Sequence, residues 1–141
     1  MFLLDTNVVS DMRKVGKRSE FRTLGEWVSA QENSTLFISS ITQFELEIGV
    51  QRMERRDPKQ GNRLRQWLSV RVAKAFDGRV LPFDIDATKI CVSFHVPDPA
   101  SYRDAFIAAI AATHHLTIVT RNTRDFKPMG VACLDPYDLG Q

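Results

Sequence analysis

The strongest constraint on the fold of this chain is its alternation of short apolar runs with longer helical stretches. Phe2-Leu3-Leu4, Leu36-Phe37-Ile38, Val80-Leu81-Pro82-Phe83, Thr117-Ile118-Val119-Thr120 and Val131-Ala132-Cys133-Leu134 have the length and residue types of buried strands. Between them run segments with helical spacing. These are residues 6–14, 20–31 (Phe21, Leu24, Trp27, Val28), about 43–56 (Phe44, Leu46, Ile48, Val50, Met53) and 59–76 (Leu64, Trp67, Leu68, Val72, Phe76), then 86–95 and the alanine-rich Tyr102–His115. Strands with no polar face, alternating with helices, predict an α/β fold: a mostly parallel sheet covered by helices on both sides. Asp57-Pro58 separates the two middle helices, and Pro82 places the third strand at an edge or ends it early. At 141 residues the chain is long enough for one such domain and too short for two.

Composition narrows the setting. The chain is 43% hydrophobic and 26% charged, ordinary for a globular protein, and no apolar run approaches the ~20 residues of a membrane span. Asp5 interrupts the opening apolar run too soon for a signal peptide, so a cytoplasmic location is the expectation. Cys91 and Cys133 are too few for a disulfide scaffold and read as free thiols. Net charge is only +2, but the positive residues cluster. Arg13, Lys14, Lys17, Arg18 and Arg22 form one group; Arg52, Arg55, Arg56, Lys59, Arg63 and Arg65 form another on the helical hairpin. Such groups suit phosphates or an acidic partner, and each residue singly suits a solvated helix face.

Three acids occupy equivalent places. Asp5 ends the first strand, Glu45 falls in the first turn after the second, and Asp104 opens the helix before the fourth. Each also has a purely structural account. Asp5 can cap the next helix, Thr42-x-x-Glu45 fits a capping box, and Ser101-x-x-Asp104 resembles one. In a parallel sheet, however, strand exits share one edge, the edge where ligands bind. Carboxylates crowded there repel unless a cation intervenes, and oxygen donors without His or Cys suit Mg²⁺ or Mn²⁺. Such a cation can activate water and stabilise a departing phosphodiester oxygen. Thr120-Arg121-Asn122-Thr123-Arg124-Asp125-Phe126 leaves the fourth strand at the same edge. It offers Thr120 and Asn122 as neutral oxygens, Asp125 as a further acid, and two arginines for phosphate.

Four segments together resemble the PIN-domain family, with the VapC-type toxins and their FitB-like branch nearest. They are Phe2-Leu3-Leu4-Asp5-Thr6-Asn7, the stretch from Ile38 to Gly49, Asp104-Ala105 and Val119 to Phe126. No single segment is specific, but four in order across nearly the whole chain are. The resemblance implies a three-layer α/β/α sandwich spanning residues 1–141. It implies a toxin of a type II toxin–antitoxin module: a homodimeric, Mg²⁺-dependent endoribonuclease (Mn²⁺ possible) held by a VapB- or FitA-like antitoxin, meeting DNA only through it. By position Asp5, Glu45 and Asp104 match the family's metal-binding acids. Asn122 stands where many members carry Asp, so Asn122 or Asp125 completes the catalytic set. Thr6 matches a polar position beside the first acid, and Glu47 reads as structural.

Two rival readings stand beside this one. A haloacid-dehalogenase-type phosphatase would use Asp5 as nucleophile, but that type expects a second Asp where Asn7 stands. A non-catalytic binding module would leave the acids as helix caps. Cys91 and His95, at i and i+4, are too few for a metal site and read as packing; Trp27, Trp67, Phe76 and Phe106 read as core.

Overall fold

The computed structural model describes residues 1–139; residues 140 and 141 of the expected 1–141 span lie outside the described residues. Five strands form one all-parallel sheet: β1 (Phe2–Leu4), β2 (Leu36–Ser39), β3 (Val80–Leu81), β4 (Thr117–Val119) and β5 (Cys133–Leu134), in the order β3-β2-β1-β4-β5. The helices are α1 (Thr6–Met12), α2 (Arg22–Ser29), α3 (Ser40–Arg56), α4 (Pro58–Gln66), α5 (Ala73–Ala75), α6 (Ile85–Phe94), α7 (Tyr102–Thr113) and α8 (Thr123–Phe126).

Strand residues alternate between two cores, which is why the sheet needs helices on both faces. Leu4, Ile38 and Val119 join Val8, Leu24, Leu46, Val50 and Phe76 on one side. Leu3 and Ile118 join Ala105, Ala108, Ile110 and Phe126 on the other. Leu4, Ile38 and Ile118 are fully buried, each contributing roughly 1.5–3 kcal/mol. Alanines 105, 108, 109 and 111 let α7 lie close to its neighbours, and its Ile107 and Ile110 fill the space left. The three-layer sandwich is therefore observed as expected. β3 is an edge strand that stops before Pro82, consistent with that residue's missing donor.

The boundaries depart from expectation in informative places. α3 begins at Ser40, not near 43, because Ser39 is its cap: the Ser39 hydroxyl accepts from the Thr42 amide at 3.0 Å. Thr42 is thus inside the helix, Glu45 lies in its second turn, and no Thr42–Glu45 capping box exists. Phe44, expected on the apolar side, is 64% exposed. Residues 59–76 do not form one regular helix. α4 passes through a π-helical segment, Trp67–Val72, before α5, a local widening that residue pattern does not announce. The α3–α4 hairpin closes tightly: a Cβ on Gly61 would stand 2.7 Å from the Glu54 amide nitrogen.

The strand order fixes where the chemistry falls. β1 is followed through α1 and α2 by β2 on one side, and β4 lies on its other side. Helical connections therefore depart in opposite senses from the β1–β4 pair, leaving a crevice at their carboxyl ends. Leu4 is paired with Val119, so the next residues, Asp5 and Thr120, stand side by side in that crevice.

Candidate active site

Asp5 is only 1% exposed and fully engaged. Its Oδ1 caps α1 by accepting from the Thr6 amide at 2.8 Å, and its Oδ2 accepts from the Thr120 hydroxyl at 2.8 Å. The capping account of Asp5 is correct, and it is incomplete. Oδ1 also accepts from Nη2 of Arg103 at 2.7 Å. The same guanidinium meets Glu45 as a fork, with Nε to Oε2 and Nη2 to Oε1 both at 2.8 Å. Its Nη1 reaches Oδ1 of Asp104 at 3.0 Å. Residues from the β1–α1 junction, α3 and α7 thus converge on one cation.

Glu45 is held from a second side by the Thr6 hydroxyl, which donates to Oε1 at 2.5 Å and lies 3.0 Å from the Thr42 hydroxyl. Burial pushes the Glu45 carboxyl up, but the hydrogen bonds from Arg103 and Thr6 and the Arg103 charge outweigh it, holding the group below its ordinary value of 4.5. Arg103 is itself pushed down by burial and up more strongly by Glu45, Asp5 and Asp104, so it stays charged.

Asp5, Glu45 and Asp104 are therefore brought together, as their positions predicted. Among the described residues no three acidic, His or Cys side chains stand close enough to enclose a metal ion as they are; the guanidinium spaces the three carboxylates. Asn122 and Asp125 do not touch this group. Asn122 starts α8, its amide donating to the Thr120 hydroxyl at 3.0 Å. Asp125 shares with Asp104 and Arg124 a cleft of about 740 Å³, walled by Phe94, Pro97 and Met129.

Arg121, expected to face phosphate, is committed elsewhere. Its Nη2 donates to Asp11 at 3.1 Å, and its guanidinium lies 4.1 Å from the centre of the Tyr137 ring. On the basic hairpin Arg65 is likewise occupied by Glu47 and Glu54, which gives Glu47 the structural role expected of it. Arg13, Lys17, Arg63 and Arg71 remain, lining a second cleft of about 550 Å³, where Arg13 covers the half-buried Trp67 at 5.2 Å. Cys91 of α6 packs 3.8 Å from His95, the residue that follows the helix. Burial raises its thiol above the ordinary range, as befits an unreactive side chain.

The residue that sequence reading missed is Arg103. A signal for it exists. It lies in the first turn of α7, where the helix dipole disfavours a cation, so its presence there asks for compensating acids.

The sequence profile of the PIN domain matches residues 2–131. The chain is 33% identical to "VapC ribonuclease Y4jK" of Sinorhizobium fredii, over 98% of this chain and 99% of that protein. It is 32% identical to "Toxin FitB" of Neisseria gonorrhoeae, over 97% of this chain and 99% of that one. A structure of FitAB bound to a DNA fragment superposes with a TM-score of 0.89 at 28% identity, covering 100% of this chain and 99% of that chain.

Proposed function

The chain belongs to the PIN-domain family, and we propose that it is the toxin of a type II toxin–antitoxin module, a divalent-metal-dependent endoribonuclease. The observation that carries this reading is the convergence of Asp5, Glu45 and Asp104, from three separate elements, on one cation at the carboxyl edge of the sheet. The names of its relatives, a VapC ribonuclease and the FitB toxin, point the same way.

The pocket fits a hard divalent ion. Its donors are all oxygen, and its three carboxylates already face a shared positive charge. Asp5, Glu45 and Asp104 would hold Mg²⁺, or Mn²⁺ in its place. When bound, such an ion supplies an activated water and neutralises charge on the departing oxygen. The protein's own groups set the stage for that chemistry. Thr120 fixes one oxygen of Asp5 and thereby aims the other inward, while Thr6 does the same for Glu45. Asn122 and Asp125 lie on the Asp104 side and are the two candidates for the fourth corner.

RNA would enter through the cleft shared by Asp104, Arg124 and Asp125. A separate, basic cleft begins at Arg13, beyond the far end of α1, roughly 10 Å along the helix from Thr6. There Arg13, Lys17, Arg63 and Arg71 would bind an RNA backbone rather than read bases. We assign the whole of residues 1–141 to one ribonuclease domain in a cytoplasmic homodimer, restrained by a VapB- or FitA-like antitoxin through which alone it meets DNA. Among the described residues no helix is long and apolar enough to cross a membrane.

Purified protein should cleave RNA with Mg²⁺ and stop when the metal is chelated. Asp104→Asn should abolish cleavage while leaving the circular dichroism spectrum intact. Cleavage that persists in chelator, or in Asp104→Asn, would sink the reading. A small neighbouring reading frame encoding a DNA-binding protein, whose product suppresses growth inhibition when co-expressed, would identify the antitoxin.

A further inference from the structure

We propose that Arg103 is the internal counter-cation of the acidic pocket, and that a divalent metal ion enters only as the guanidinium leaves. The inference rests on the metal-dependent reading above and concerns what this chain's own residue does to metal affinity.

The argument begins with position. Nη2 lies 2.7 Å from Oδ1 of Asp5 and 2.8 Å from Oε1 of Glu45, so an ion held by these carboxylates would compete with the guanidinium for the same oxygens. Mg²⁺ binds oxygen at about 2.0–2.1 Å, which leaves no room for a nitrogen between the same atoms. Few inward oxygens are left over. Both Glu45 oxygens, Oδ1 of Asp5 and Oδ1 of Asp104 receive Arg103, and Oδ2 of Asp5 receives Thr120.

Charge gives the competition its direction. Three carboxylates face a single guanidinium, so the seated state keeps an excess of negative charge that a divalent ion would neutralise more completely. The position of Arg103 on α7 adds to this. In the first helical turn the dipole opposes a cation, so the acids, helped by the Thr6 hydroxyl 3.3 Å from Nη2, hold the side chain in place. Its side chain is 35% exposed, and a half-buried arginine at a pocket mouth can rotate outward without moving its helix. In metal-free protein Arg103 keeps the carboxylates from repelling one another. In doing so it raises the metal concentration needed to load the site.

Manganese binding tests the competition directly. Calorimetric titration with Mn²⁺ should show Arg103→Met binding on the order of tenfold more tightly than wild type, because the metal no longer displaces a set of charge-assisted hydrogen bonds. Arg103→Lys, which keeps the charge without the fork, should lie between them. Metal-free Arg103→Met should also melt lower than wild type and gain more from added Mn²⁺. A measurement on the native side chain guards against a variant that fails to fold. The Nε–H resonance of Arg103 should exchange slowly in metal-free protein and move to a free-arginine position as Mg²⁺ saturates the site. Equal or weaker Mn²⁺ binding by Arg103→Met, or a resonance that Mg²⁺ leaves unmoved, overturns the proposal while leaving the metal-dependent reading intact. Failure of wild type and variant alike to bind Mn²⁺ overturns both.

Discussion

Two buried aspartates flank the same short helix, and they do different work. Asp5 caps the start of α1; Asp11 lies near its end, 8% exposed. Asp11 accepts from the Tyr137 hydroxyl at 2.6 Å and from Arg121 at 3.1 Å, with Lys14 at 3.6 Å. There one carboxylate meets two cations and a hydroxyl, and the cluster is satisfied by the protein's own groups. Around Asp5 the balance is reversed, with three carboxylates on one guanidinium. Burial does not distinguish the two clusters. The unspent charge does: one cluster keeps negative charge to spare, and the other is a clasp tying the segment at Tyr137 to α1.

The sharpest way to break this comparison is to make the same substitution in both. Asp5→Asn should lower RNA cleavage on the order of a hundredfold or more, while Asp11→Asn should leave it within a few-fold. Comparable losses in the two variants would show that the clusters are not distinct in kind. Next in size, Thr120→Val frees Oδ2 of Asp5 and should reduce cleavage or metal affinity by roughly tenfold or more with little change in melting temperature. Stability orders the clasp. Asp11→Asn should cost about 1–3 kcal/mol by denaturant titration, and Tyr137→Phe about 1 kcal/mol, with cleavage retained. A Tyr137→Phe protein as stable as wild type would remove the clasp from consideration.

The smallest effect separates the clusters by pH. Glu45 has a folded value below its ordinary 4.5, so its stabilisation is complete above that value and is lost as pH falls below it. Tyr137 is pushed above its ordinary value of 10.0 by burial and by Asp11. Its contribution is complete below pH 10.0 and fades as pH rises further, because the unfolded chain loses the phenol proton first. Melting curves should therefore show Glu45→Gln flattening the acid limb and Tyr137→Phe flattening the alkaline limb. An exchange of those roles would contradict the assignments.

How much of this was legible in the sequence differs residue by residue. The sheet was, because Leu3, Leu4, Ile118 and Val119 are apolar on both faces and only a doubly covered parallel sheet accommodates that. Asp5 was too, since an acid directly after such a strand has only one edge to occupy. Glu45 was legible as a member of the acid group but not in its placement. Ser39 ends a strand and caps a helix at once, and that double duty moved the start of α3 by a turn. Arg103 was not read at all. Its meaning comes from carboxylates 58 and 98 residues away in the chain, and only its discord with the helix dipole betrays it locally. The π-helical widening at Trp67–Val72 has no such trace.

The lateral pairing of Asp5 with Thr120 also sets a timetable. The two are 115 residues apart in sequence, and β1 gains its β4 neighbour only after β4 has been made. During synthesis the aspartate is delivered early and waits for Arg103, then for the threonine that orients it. A chain interrupted anywhere between carries acids but no crevice to hold them. An RNA-cutting site built on this order stays unassembled for most of its own translation.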